Sequence, residues 1–174
     1  VVFDLDGTLL DTLEDLKNSV NYAMTQCGYP EHTLDEVRRY VGNGILLLMQ
    51  RAIPGGKDDP NFDKAFTLFK EHYGKHCNDT TKPYAGIMEL LHTLKENNIK
   101  IAIVSNKADF AVKELNAIYF KDLILVAIGE KESEGIRKKP APDTVIEALK
   151  QLGSTAENSV YIGDSDVDIE TARN

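Results

Sequence analysis

The stretch Val1-Val2-Phe3-Asp4-Leu5-Asp6-Gly7-Thr8-Leu9-Leu10-Asp11-Thr12 constrains the fold more than any other, because an apolar run ends abruptly in carboxylates and a glycine. Val1 to Phe3 are β-branched or aromatic with no polar interruption, the pattern of a strand buried on both faces of a parallel sheet. Asp4 then stands at the carboxyl end of that strand. Side chains alternate along an extended chain, so Asp4 and Asp6 face one volume while Leu5 turns to the core. Gly7 lets the backbone turn away. Taken alone, Asp-x-Asp-Gly reads equally well as a simple turn after a strand.

The rest of the chain has two rhythms. From Leu13 to about Thr81 the pattern is helical, with Leu13, Leu16, Val20, Ala23 and Cys27, then Phe62, Ala65, Phe66, Phe69 and Tyr73, recurring at three- and four-residue steps. Shorter helices are predicted around Leu34 to Tyr40 and Ile45 to Ile53, the second stopped by Pro54-Gly55-Gly56. No buried strand is expected there. From Tyr84 onward helix and strand alternate: a helix through Ile87, Leu90, Leu91 and Leu94, a strand Ile99 to Val104, a helix Ala108 to Ile118, and a strand Leu123 to Ile128. A helix through Val145, Ala148, Leu149 and Leu152 and a strand Ser159 to Ile162 complete it. This alternation predicts an open parallel α/β sheet, whose ligands bind outside the carboxyl ends of the strands. Asp4, Asp6, Ser105 and Asp164 all fall at such ends.

Composition narrows the partners. A formal net charge of −8 and a pI of about 5.0 repel a nucleic-acid backbone. No apolar run approaches the roughly 20 residues of a membrane span, and no signal-like amino terminus is visible. Cys27 and Cys77 have no metal-like spacing and read as free thiols, so the cytoplasm is the expected location. His32, His72, His76 and His92 match no motif and are expected at solvated helix positions.

Four stretches in order, Asp4-Leu5-Asp6-Gly7-Thr8, Ile101-Ala102-Ile103-Val104-Ser105-Asn106, Lys139-Pro140-Ala141-Pro142 and Ile162-Gly163-Asp164-Ser165-Asp166-Val167-Asp168, resemble the signature of the haloacid-dehalogenase superfamily of phosphohydrolases. The resemblance implies a Rossmann-like core, residues 1–12 and 82–174, carrying an all-helical cap, residues 13–81. It also implies that the fourth strand lies beside the first, opposite the second, and that the native protein continues past both ends into at least one more strand. Within the cap, Arg38-Arg39-Tyr40-Val41-Gly42-Asn43-Gly44 is the most informative piece. Its glycines free amide donors ahead of a helix, which suits an anion, although the residues alone read first as an ordinary helix-helix turn. Val41-Gly42-Asn43-Gly44, followed by Arg51-Ala52, resembles the cap of phosphoglycolate phosphatases.

Asp4, Asp6, Asp164 and Asp168 in one cleft would repel one another by roughly 4 kcal/mol per pair at 4 Å and an effective dielectric near 20, so the arrangement calls for a cation. Oxygen-only ligands and a phosphate-bearing substrate favour Mg2+. The resemblance implies that the Asp4 and Asp164 carboxylates and the Asp6 carbonyl ligate it, with Asp168 behind them through water or Lys139. It makes Asp4 the nucleophile and Asp6 the general acid and base, its protonated form favoured by neighbouring negative charge. Ser105 and the Asn106 amide would donate to the phosphoryl group and Lys139 would neutralise it, while Gly42, Asn43 and Gly44 would meet substrate. Thr8, Asp11 and Thr12 read as capping residues in the first instance, with a place near the substrate as the alternative. The expected activity is that of a phosphatase for a small phosphorylated metabolite, 2-phosphoglycolate first, acting as a monomer or homodimer without membrane or nucleic acid. A sugar phosphomutase and a phospho-acceptor signalling module remain alternatives. The helical insert and Asp6 argue against the signalling module, and Asp6 argues against a dehalogenase.

Overall fold

The computed structural model describes residues 1–174, which divide into two compact units, Val1–Leu10 with Pro83–Asn174, and Asp11–Lys82. In the first unit, strands β1 (Val2–Phe3), β4 (Ala102–Ala108), β5 (Val126–Glu130) and β6 (Tyr161–Ile162) form a parallel sheet of order β5-β4-β1-β6. Val2 is in register with Ala102 on one side and Tyr161 on the other, and Phe3 with Ile103 and Ile162. Alternation along the strands sends their side chains into two separate cores. Phe3, Ile101 and Ile103 pack with Leu91 of α5 (Ile87–Glu96) and with Val112 and Leu115 of α6 (Asp109–Tyr119). Val2, Ala102, Val104, Val126 and Ile128 pack with Ala148, Leu149 and Leu152 of α7 (Asp143–Leu152). Strands β1 and β4 are therefore covered on both faces, as the centre of a parallel sheet requires, while edge strand β6 leaves Ile162 exposed. A last helix, α8 (Asp166–Arg173), follows β6.

Two strands lie further along the chain than periodicity predicts. Ile99 is 42% exposed and follows Asn98, whose φ is 57°, so residues 98–99 belong to a turn and β4 begins at Ala102. Leu123 and Ile124 donate their amides to the Phe120 carbonyl at 2.8 and 2.9 Å, closing the end of α6 before β5 starts. Ile99 beside its turn and the buried loop pair Leu123-Ile124 carry the apolar pattern of a strand, which a periodicity argument cannot separate from one.

The second unit is helical: α1 (Leu13–Gln26), α2 (Leu34–Tyr40), α3 (Ile45–Ala52) and α4 (Phe62–His76). Leu16, Val20, Ala23, Met24, Val37, Leu48, Met49, Phe62, Ala65 and Phe69 make its core. A capping box starts α2, with the Glu36 amide donating to Thr33 Oγ1 at 3.3 Å and the Thr33 amide to Glu36 Oε2 at 2.7 Å. At its base Asp15, 1% exposed, accepts the amides of Thr80 and Thr81 at 3.0 and 2.9 Å and their hydroxyls at 2.6 and 2.8 Å. That cluster joins the first turn of α1 to chain 65 residues later. Short strands β2 (Leu10–Asp11) and β3 (Lys82–Pro83) pair where the chain leaves the first unit and returns.

Two histidines depart from the solvated positions expected of them. The His32 ring nitrogen Nε2 lies 2.8 Å from the Ala52 carbonyl, and the His72 ring stacks between Tyr22 and His76 at 4.4 Å from each, with Nδ1 3.0 Å from Ser19 Oγ. Cys77 is buried and Cys27 half-buried, both as free thiols. No helix is long and apolar enough to cross a membrane.

Candidate active site

Residues just past β1 and β6 and within β4 form the candidate site. Asp4 follows β1 directly, its amide tied to the Ile162 carbonyl at 2.8 Å, so β6 fixes where its side chain begins. Lys139, 3% exposed, reaches Asp4 Oδ1 at 2.8 Å, Asp168 Oδ1 at 2.7 Å and the Tyr161 hydroxyl at 3.0 Å. A buried ammonium between two carboxylates offsets part of their repulsion and satisfies its own donors. A carboxylate oxygen from each of Asp4, Asp164 and Asp168 lies within 4.8 Å of the other two.

The three carboxylates differ in what they have left to offer. A carboxylate accepts about four hydrogen bonds. Asp168 takes four: Lys139 and Tyr161 at 2.7 and 2.8 Å on Oδ1, and the Ser165 amide and hydroxyl at 3.1 and 2.6 Å on Oδ2. Burial works against its charge, but Lys139, Ser165 and Tyr161 together hold it below the usual carboxylate range. Asp168 is thereby a support for Lys139 and for the start of α8. Asp164 is exposed and accepts one side-chain bond, from Thr8 Oγ1 at 3.0 Å, so Thr8 steadies a carboxylate across 156 residues and does not act as the helix cap that its position suggests. Burial pushes the Asp4 carboxyl up to about 6; Lys139 pulls it down, and the charges of Asp168 and Asp6 add to the rise. Oxygen donors only, two of them with capacity to spare and one disfavoured as a bare anion, suit a hard divalent cation.

Gly7 is required by this arrangement. Its φ is +87°, and a Cβ there would fall 2.5 Å from Asp164 Oδ2. Any other residue would displace that carboxylate or strain the turn.

Ser105, Asn106 and Lys107 enter through a bulge. Val104 pairs with Ile128 but Ala108 with Glu130, so β4 advances four residues while β5 advances two. Ser105 Oγ accepts the Lys107 amide at 3.2 Å, which turns its hydroxyl hydrogen to other acceptors. The Asn106 side chain donates to the Lys139 carbonyl at 3.0 Å, so it braces the lysine loop instead of pointing outward. Lys107 Nζ lies 2.8 Å from Asp6 Oδ1. Asp6 was expected among negative charges; its direct contact is a cation, because the bulge turns Lys107 inward. Lys107, Tyr161 and Ser165 join the site without belonging to the residues expected there. The spacing of Lys107 two residues after Ser105, and the Ser-x-x-Asp box of Ser165 and Asp168, are the signals in the sequence that point to two of them.

The chain belongs to the haloacid dehalogenase-like hydrolases. The model of that family matches residues 1–174. The chain is 33% identical over 177 residues to the phosphoglycolate phosphatase of Aquifex aeolicus, covering 99% of this chain and 79% of that protein. It is 31% identical over 179 residues to the phosphoglycolate phosphatase of Pseudomonas putida, covering 99% of this chain and 65% of that protein. Among solved structures it resembles a candidate phosphoglycolate phosphatase from Lactobacillus delbrueckii subsp. bulgaricus, with a TM-score of 0.90, 36% identity, and 99% and 81% of the two chains covered.

In the helical unit of this haloacid dehalogenase-like hydrolase, the segment singled out by sequence is a clasped loop. Gly42 and Gly44 have φ of 112° and 88°, and Arg51 donates to the Tyr40 carbonyl and to Asn43 Oδ1, both at 2.8 Å. Arg51 thus fixes the shape of the loop ahead of α3.

Proposed function

We propose that the chain carries a Mg2+-dependent phosphoric monoester hydrolase site that works through an aspartyl-phosphate on Asp4, with 2-phosphoglycolate as the leading substrate. The observation that carries this reading is the pair of carboxylates at the end of β1, Asp4 and Asp6, each held by a buried lysine, beside Asp164. The phosphoglycolate phosphatase relatives at about 30% identity support the substrate class.

Asp4 Oδ1 is engaged by Lys139, so Oδ2 is the oxygen that attacks phosphorus. As that P–O bond forms, the ester P–O bond breaks, and the departing alkoxide takes a proton from the Asp6 carboxyl. Water then attacks phosphorus, gives its proton to the Asp6 carboxylate, and the bond to Asp4 breaks, restoring the nucleophile. Ser105, its oxygen already accepting from the Lys107 amide, has its hydrogen to donate to a phosphoryl oxygen. Lys139 sits where it meets both the nucleophile and the charge of the transferring group. The Asp4 and Asp164 carboxylates, with the Asp6 main-chain carbonyl, would hold Mg2+, which neutralises phosphoryl charge when bound. Asp168 and Tyr161 keep Lys139 in place. The clasped Gly42-Asn43-Gly44 loop is proposed to meet the organic part of the substrate.

Phosphate release from 2-phosphoglycolate by the complete protein, with Mg2+ and with chelator, tests the reading. Rapid metal-dependent release supports it. Equal release from unrelated phosphomonoesters would remove phosphoglycolate from the proposal and keep the mechanism. Labelling of Asp4 without turnover of any ester would overturn the hydrolase.

A further inference from the structure

Lysine is seldom buried, and a buried ammonium is costly unless it has a charged partner and a purpose. The Lys107 side chain is 4% exposed and that of Asp6 16%, with Nζ and Oδ1 2.8 Å apart across 101 residues of sequence. The lysine is also held from its own backbone, its amide donating to Ser105 Oγ at 3.2 Å within the bulge of β4. A second lysine, Lys139, grips one oxygen of Asp4 at the same distance, 2.8 Å. Each carboxylate of the opening motif is thus paired with a buried lysine, Asp6 with Lys107 of β4 and Asp4 with Lys139 of the loop before α7.

We infer that Lys107 is a positioning residue for Asp6: by holding Oδ1 it sets the plane from which the other carboxylate oxygen exchanges a proton with the leaving group and with water. This rests on the acid–base reading of Asp6 given above. A carboxylate on a short side chain just ahead of a glycine-containing turn has two torsions to restrict, and proton transfer needs a heavy-atom approach of about 2.6–3.2 Å. A salt bridge to a buried, backbone-anchored lysine restricts both.

Leaving-group dependence tests this, because a residue acting only on the fold or on phosphate binding affects all esters alike. An alkoxide leaving group needs a proton; p-nitrophenolate does not. In Lys107→Met, kcat/KM for 2-phosphoglycolate should fall roughly 100-fold, the scale of one general acid, while that for p-nitrophenyl phosphate changes by less than about 3-fold. Lys107→Arg should recover much of the loss. Asp6→Asn should show the same selectivity, and Lys107→Met added to Asp6→Asn should cost nothing further. If Asp6→Asn lowers both substrates equally, the acid–base reading of Asp6 fails. If Asp6→Asn is selective but Lys107→Met is not, or adds its full loss to the double variant, the positioning role fails and the reading of Asp6 stands. Circular dichroism confirms that each variant folds; should Lys107→Met not fold, Lys107→Gln, a neutral donor, is read by the same two criteria.

Discussion

Asp15 and Asp4 are carboxylates of similar burial, 1% and 7% exposed, yet their surroundings treat them in opposite ways. Asp15, at the base of the helical unit, pays for its burial with amide and hydroxyl donors from Thr80 and Thr81. Burial raises its pKa, but those donors outweigh it and leave it below the usual carboxylate range. Asp4 has one lysine that it shares with Asp168, lies near Asp6 and Asp168, and is pushed up to about 6. The first carboxylate is a finished structural joint. The second has fewer donors than its burial calls for, which is what the proposed cation and nucleophile roles require. Buried charge alone therefore says little; the number of donors committed to it separates structure from chemistry.

Asp4→Asn should have the largest effect. If Asp4 is the nucleophile, turnover should fall by about 10^4-fold or more, as when a covalent catalyst is removed. The same change should stabilise the metal-free protein. A carboxyl raised from 3.8 to about 6 favours the folded state while protonated and loses that contribution as pH rises through the folded value. In chelator, denaturant unfolding should show the variant more stable by up to about 3 kcal/mol above pH 6, the advantage shrinking towards pH 4. A variant less stable at every pH would mean that Asp4 is structural like Asp15.

Asp15→Ala should do the reverse: a loss of about 3–5 kcal/mol in denaturant unfolding, since buried donors are left unpaired. Because the Asp15 pKa is lowered on folding, its contribution is present above the ordinary aspartate range and is lost as pH falls below it. The wild-type advantage over Asp15→Ala should therefore narrow in acid, opposite in sign to the Asp4 pair.

Gly7→Ala probes the cation side of the contrast. With φ at +87° and a Cβ placed 2.5 Å from Asp164 Oδ2, it should cost about 1–2 kcal/mol in the fold and weaken Mg2+ binding by roughly 10-fold, read by calorimetric titration. Tyr161→Phe should have the smallest effect. It removes one of four bonds to Asp168 and one to Lys139, so about 1 kcal/mol of stability and a few-fold change in rate are expected. Burial and the nearby Asp4 and Asp168 charges raise the pKa of its phenol, so it acts as a neutral donor and is not a base.

Much of the fold was open to sequence reasoning because it rests on local alternation. Val2 and Phe3 read as a buried strand, the 13–81 stretch as helices, and the later chain as alternating helix and strand. That β6 lies beside β1, opposite β4, follows from the family resemblance alone, because strand order is not a local property. Strand starts were less accessible, since Ile99, Leu123 and Ile124 are apolar residues of turns. In the site, sequence placed Asp4, Asp6, Ser105 and Asp164 at strand ends. It did not show that Lys107 turns inward, because the bulge responsible is a mismatch between β4 and β5 that neither strand carries alone.

What the sequence determined by itself, then, was which residues stand at the ends of which elements, because polarity period and glycine placement act over a few residues. What the tertiary structure decided was which partner each charge meets: Lys107 with Asp6 across 101 residues, Thr8 with Asp164 across 156, Asp15 with Thr80 across 65. Those partners set burial, donor count and pKa, and they are fixed only when distant loops are packed to within a hydrogen bond of one another.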